Sequence, residues 1–164
     1  MGNSRGCGGL GIWDDDELYT SSTYESWKII SEGPIRFVFE LSFAPWDVKA
    51  GMVSEVKRIS IDSGHNLNRF ESFFYLENDK SESEQTYAVG LAIHEKQGTG
   101  EYRKYEENGV YSFWEPATEG NGNLGTSIVI DPKVVLGAKS TEDHHFIIAK
   151  TNVDNKAIYY AGAG

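Results

Sequence analysis

Cysteine is nearly missing from this chain. Cys7 is the only one, so no intrachain disulfide can form and no cysteine-built zinc site exists. Cations are scarce too: 15 Lys and Arg stand against 25 Asp and Glu, for a formal charge of -10. A general nucleic-acid binder needs a cationic footprint, and this chain carries the reverse. No apolar run approaches the roughly 18 residues that cross a bilayer as a helix, so no membrane partner is expected. Residues 1–11 lack the cationic and apolar pattern of a signal peptide, and Gly6 stands where N-myristoylation expects Ser or Thr. No Gly-x-Ser-x-Gly elbow and no phosphate-binding P-loop occurs. Gly6-Cys7-Gly8-Gly9-Leu10-Gly11 matches G-x-G-x-x-G by letter alone, because only five residues precede it and no helix pattern follows.

What the chain has is aromatic and alternating. Its 164 residues include 9 Tyr, 8 Phe and 4 Trp, enough length for one core and no second. No segment carries a helical apolar stripe over three turns. Along 35–43, Ile35, Phe37, Phe39, Leu41 and Phe43 share one face. Residues 68–75 and 87–94 alternate similarly, and further strand candidates lie at 27–31, 53–62, 101–106, 110–115, 126–130, 145–151 and 157–161. Gly33-Pro34, Ser63-Gly64, 97–100, Asn108-Gly109, 120–123 and Asp131-Pro132 punctuate them as turns, and the polar acidic stretch 77–85 reads as a surface loop. Asn108-Gly109 is the strongest hairpin signal. About ten short strands predict a single all-β domain over 1–164, an antiparallel β-sandwich.

Charge is uneven along the chain. Residues 33–76 hold five basic and five acidic side chains, Arg36 and Arg69 among them, so an anionic ligand meets no net repulsion only there. Arg69, Glu71 and Tyr75 share one strand face, which unites a carboxylate binder, an acid or base and a phenol. An ordinary Arg–Glu pair on a solvated face has the same pattern. His94 ends a face whose other members are Ala88, Gly90 and Ala92, a trough that either admits a ligand or lets another segment pack. His65 sits in a polar loop, where functional residues gather but most histidines are merely exposed. His144 and His145 are adjacent and point to opposite faces of a strand, so no zinc site follows from them. Trp114 closes a strand ahead of Pro116 and offers a flat face for a sugar ring, with the Glu115 carboxylate beside it; Trp27 reads as core. The acidic run 14–17 lacks the alternating ligands of a calcium loop and reads as a solvated turn.

Several short segments, taken in order, are similar to a family. Gly6-Cys7-Gly8-Gly9-Leu10-Gly11-Ile12-Trp13-Asp14, Gly33-Pro34-Ile35-Arg36, Asn66-Leu67-Asn68-Arg69-Phe70-Glu71, Trp114-Glu115-Pro116, Leu124-Gly125-Thr126 and Tyr159-Tyr160-Ala161-Gly162-Ala163-Gly164 resemble a bacterial domain-of-unknown-function family, number 4861. The resemblance implies a β-supersandwich like that of sugar mutarotases, found among genes for polysaccharide breakdown. It also implies a longer polypeptide whose N-terminal part is missing here, and a periplasmic or extracellular location. An oligosaccharide dehydratase acting on uronic-acid ends belongs to the same circle of resemblance.

The expectation that follows is a carbohydrate-active lyase or dehydratase acting on an oligosaccharide or polysaccharide, with no cofactor and no metal. A non-catalytic carbohydrate-binding module, or a structural half of a sugar-processing sandwich, is the alternative. The chemistry requires a cation on the sugar carboxylate, a base for the adjacent C–H and an acid for the leaving oxygen. The candidates are Arg69 for the carboxylate, His94 or Tyr75 as base, and His65 or Glu115 as acid. Trp114, Glu71 and Arg36 would bind substrate. One hollow is expected to collect Arg69, His94 and Trp114.

Overall fold

A computed structural model describes residues 5–77, 84–94, 100–116 and 122–164. The acidic loop expected over 77–85 and the turns expected at 97–100 and 120–123 fall largely outside these residues. Among the described residues thirteen strands run in order: β1 Cys7–Asp14, β2 Glu17–Tyr19, β3 Tyr24–Ser31, β4 Arg36–Val48, β5 Gly51–Asp62, β6 Leu67–Leu76, β7 Thr86–Ala92, β8 Glu101–Tyr105, β9 Val110–Glu115, β10 Leu124–Ile130, β11 Val135–Ser140, β12 His144–Lys150 and β13 Lys156–Ala163. Short 3-10 turns occupy Glu106–Asn108 and Pro132–Val134. The strands form two antiparallel sheets, β11-β12-β7-β1-β2 and β3-β4-β5-β6-β13-β10-β9-β8. The expected all-β sandwich is what the chain forms. Among the described residues, no helix is long and apolar enough to cross a membrane.

Period-2 alternation decides which side chains meet between the sheets. The five-stranded sheet contributes Leu10 and Ile12 of β1, Tyr87, Val89 and Leu91 of β7, and Ile147 and Ala149 of β12. From the eight-stranded sheet come Phe74, Tyr111, Phe113, Ile128, Ile130, Tyr159 and Ala161. Each large side chain removed from water here stabilises the fold by roughly 1.5–3 kcal/mol. Tyr159 ties the layers together: its ring stacks on Phe70 at 5.1 Å, and its buried hydroxyl donates to the Gly8 carbonyl at 2.7 Å. The glycine-rich opening is therefore a strand, not a nucleotide loop. Gly8 sits at a bulge with φ +85, and a Cβ there would come within 2.5 Å of Ala161 Cβ.

Coverage of the larger sheet is unequal. The smaller sheet lies over β13, β10 and their neighbours, while every residue of β3 is exposed. Trp27, expected in the core, is 64% exposed for that reason. The acidic run is a tight turn between β1 and β2, with Asp15 and Asp16 ion-paired to Lys49 and Lys139. Asn108-Gly109 does close the β8–β9 hairpin, through a 3-10 turn and a left-handed Gly109.

Gly109 has φ +65, and a Cβ on it would lie 1.8 Å from the Ile130 carbonyl oxygen. Gly109→Ala therefore meets both a disfavoured backbone region and a hydrogen-bonded strand end. Expected is a loss of roughly 2–3 kcal/mol, read as a lower urea midpoint at unchanged slope.

Candidate active site

The chain leaves β7 at Ala92, and Ile93 and His94 continue past the end of the sheet. The trough of small residues does not lead to His94. Gly90 is overlaid by Phe146, 3.2 Å from where a Cβ would stand, and by Arg5 at 3.3 Å. The small side chains there admit another part of the chain, as close packing of sheet faces requires.

His94 instead meets Glu115, the last residue of β9 in the opposite sheet. The Glu115 carboxylate accepts from the His94 backbone N–H at 2.7 Å and contacts His94 Nδ1 at 2.7 Å. Glu115 is buried, whereas the His94 side chain is 53% exposed. A carboxylate can only accept, so Nδ1 carries a proton, and in the neutral ring Nε2 keeps the lone pair. This is a ring whose tautomer and orientation are set by a buried acid, the arrangement a general base requires.

Two further histidines, discounted for their adjacency, stand at the start of β12 near this pair. They do face opposite sides. His144 is buried, accepts the Arg5 backbone N–H on Nε2 at 2.8 Å and stacks on Phe146. His145 points between the sheets, flat on Tyr102 with ring centroids 3.9 Å apart, and its Nδ1 contacts the Ser140 hydroxyl at 2.8 Å. Burial holds both imidazoles below their ordinary value of 6.5, with Asp143 opposing for His144 and Glu115 opposing for His145. Burial pushes the Tyr102 phenol up. Sequence reasoning missed these groups, because only the fold brings the ends of β7, β9 and β12 to one place. Among the described residues no group of three metal-ligating side chains assembles.

The other candidates, His65 excepted, lie on the outer face of the eight-stranded sheet. Arg69 and Glu71 form an ion pair with each other. Arg36 is held by Asp62 through two hydrogen bonds of 2.6 and 2.8 Å. Tyr75 shares this face but lies six residues from Arg69, roughly 20 Å along the strand. His65 is in the β5–β6 turn, its backbone N–H donating to the Asp62 carbonyl at 3.3 Å. Trp114 is on the same outer face, 49% exposed, with its indole against Gly125. It borders a depression of about 490 Å³ whose walls include Asn66, Arg103, Ser112 and Ser127. Two strands separate β6 from β9, and register sets Val110 rather than Trp114 level with Arg69, so Arg69 and Trp114 share a face but stand roughly 20 Å apart. His94 is on neither side of that hollow. Neighbours on β9 point to opposite faces, which sends Glu115 toward the facing sheet, where it meets His94, and Trp114 outward.

The profile of the family described as "Domain of unknown function (DUF4861)" matches residues 1–164. The chain belongs to this family. A relative, "Uncharacterized protein P7" of Formosa agariphila, is 36% identical over 168 residues, covering 99% of this chain and 40% of the relative. The chain thus spans about two fifths of the length of the curated relative it matches. No solved structure matches it.

The lowered histidines make the fold sensitive to acid. An imidazole held below its ordinary value stays neutral in the folded chain while the unfolded chain takes up a proton. Its contribution to stability is whole above pH 6.5 and drains as pH falls below that value. Thermal unfolding midpoints should therefore fall between about pH 7.5 and about pH 5, and fall less in His144→Gln, whose amide can still accept the Arg5 N–H. Equal slopes in the two proteins would count against this.

Proposed function

We propose that this chain provides the acid–base centre of a carbohydrate-active enzyme, a carbon–oxygen lyase or dehydratase acting on uronic-acid-containing oligosaccharides in bacterial polysaccharide degradation. The observation that carries the reading is the His94–Glu115 pair. Nε2 of His94 removes the proton beside the sugar carboxylate, and the electron pair left behind forms the C4=C5 double bond. The C4–O bond breaks, and the imidazolium returns the proton to the leaving oxygen from the same face. Glu115, first considered as the acid, is a positioning residue here: its carboxylate is buried and committed to His94. Arg69, considered for the sugar carboxylate, is paired with Glu71 on the other side of the sheet and does not reach this pair. The substrate class rests on the family's resemblance to sugar-processing supersandwiches and on the aromatic content of the chain.

One observation favours a second reading, a non-catalytic carbohydrate-binding module. The Trp114 depression offers a flat indole rimmed by hydroxyl, amide and guanidinium groups, which is what sugar binding needs without an acid or base.

The two are told apart with uronic-ended oligosaccharides and ultraviolet absorbance from the new conjugated double bond. The lyase reading expects His94→Gln to lower kcat by roughly 10²–10⁴-fold with binding retained, and Glu115→Gln to lower it as well. Binding lost in Trp114→Ala, with no absorbance from the wild-type protein on any uronide, would assign the binding role and end the catalytic one.

A further inference from the structure

Toward β3, the core-facing side of the eight-stranded sheet stays apolar but is covered by nothing among the described residues. Tyr24, Trp27 and Ile29 of β3, Phe37, Phe39, Leu41 and Phe43 of β4, and Ile59 and Ile61 of β5 point to the side that is core elsewhere in the same sheet; register places Trp27 opposite Leu41, Ile29 opposite Phe39, and Phe37 opposite Ile61. Four of these side chains, Tyr24, Trp27, Ile29 and Ile61, are more than 40% exposed. Scattered exposed apolar residues need no explanation, but a contiguous sheet face does.

The face is close to neutral. Lys57, its cation, lies over the Phe43 ring at 5.2 Å and 3.3 Å from the buried Glu55. Its partner is therefore apolar rather than charged. The edge of β3 is a poor place to add a strand: it is bulged between Tyr24 and Ser26 and again between Ile29 and Ser31, and it carries Lys28. The face suits a layer stacked about 10 Å away, as the smaller sheet is stacked over β13 and β10. A second copy is disfavoured, because two chains of formal charge -10 repel on approach. A source of further chain is at hand, since the matched region is 40% of the relative P7, leaving the other 60% outside it.

We propose that the apolar face of β3, β4 and β5 is an interface for another sheet of the same polypeptide, the part that longer family members carry outside this region. It would continue the sandwich core across the full width of the eight-stranded sheet. The proposal does not depend on the activity proposed above.

The test reads the complete reading frame that encodes these residues, then follows amide hydrogen exchange in its protein product. Covered, the amides of Tyr24–Ser31 should be protected to within roughly 10-fold of those in β7 and β10. Trp27→Ser should lower the Tm of that product by roughly 4–8 °C, with Trp27→Phe recovering most of the loss. A reading frame holding no more than these residues overturns the proposal. So do β3 amides that exchange near the unprotected rate, or a Tm unmoved by Trp27→Ser. Protection that disappears on dilution assigns the face to a second copy and overturns it equally.

Discussion

The aromatic layer between the sheets is the constraint from which the rest follows. Tyr159 stacks on Phe70 within its own sheet and reaches across to the Gly8 carbonyl, so β13 and β1 are held at one separation and one register. Gly8 can be nothing larger, because Ala161 stands against it. With β1 seated over β13, β7 and β12 follow by antiparallel pairing, and their ends arrive opposite the end of β9. The meeting of His94 and Glu115 is a consequence of that docking, since the two residues belong to different sheets.

The same docking explains the uneven surface. A five-stranded sheet centred on β1 and β7 covers the middle of an eight-stranded one and leaves the β3 end bare. Negative charge is concentrated in the flanking parts of the chain, while the bare end lies within or beside the balanced stretch 33–76. One surface therefore solvates the chain and another is fit for an apolar neighbour. The arginines Arg36, Arg58, Arg69 and Arg103 each pair with a carboxylate on the outer face, which leaves that face polar yet nearly neutral.

Much of the fold was legible in the residues. Alternation along 35–43 and 68–75 names two strands and which of their side chains share a face, and 110–115 names a third, because a period of 2 is a local property of extended backbone. Strands β1, β2 and β11 escaped notice. Glycines and acidic residues are weak strand formers in isolation, and here packing overrides them. Trp27 shows the opposite failure. Its strand is real, but whether a strand face is covered depends on the other sheet, about which local alternation is silent.

The candidate site divides along the same line. That Arg69 and Glu71 lie on one face, that Trp114 and Glu115 point apart, and that His144 and His145 cannot act from one side are all determined by sequence, because each is a relation within a single strand. That His94 turns out of its strand to be held by a carboxylate from the facing sheet, and that two more histidines gather beside it, only the tertiary structure decided. Those contacts join residues 21 or more positions apart across a sheet-to-sheet gap, and no local pattern encodes which strand ends will meet.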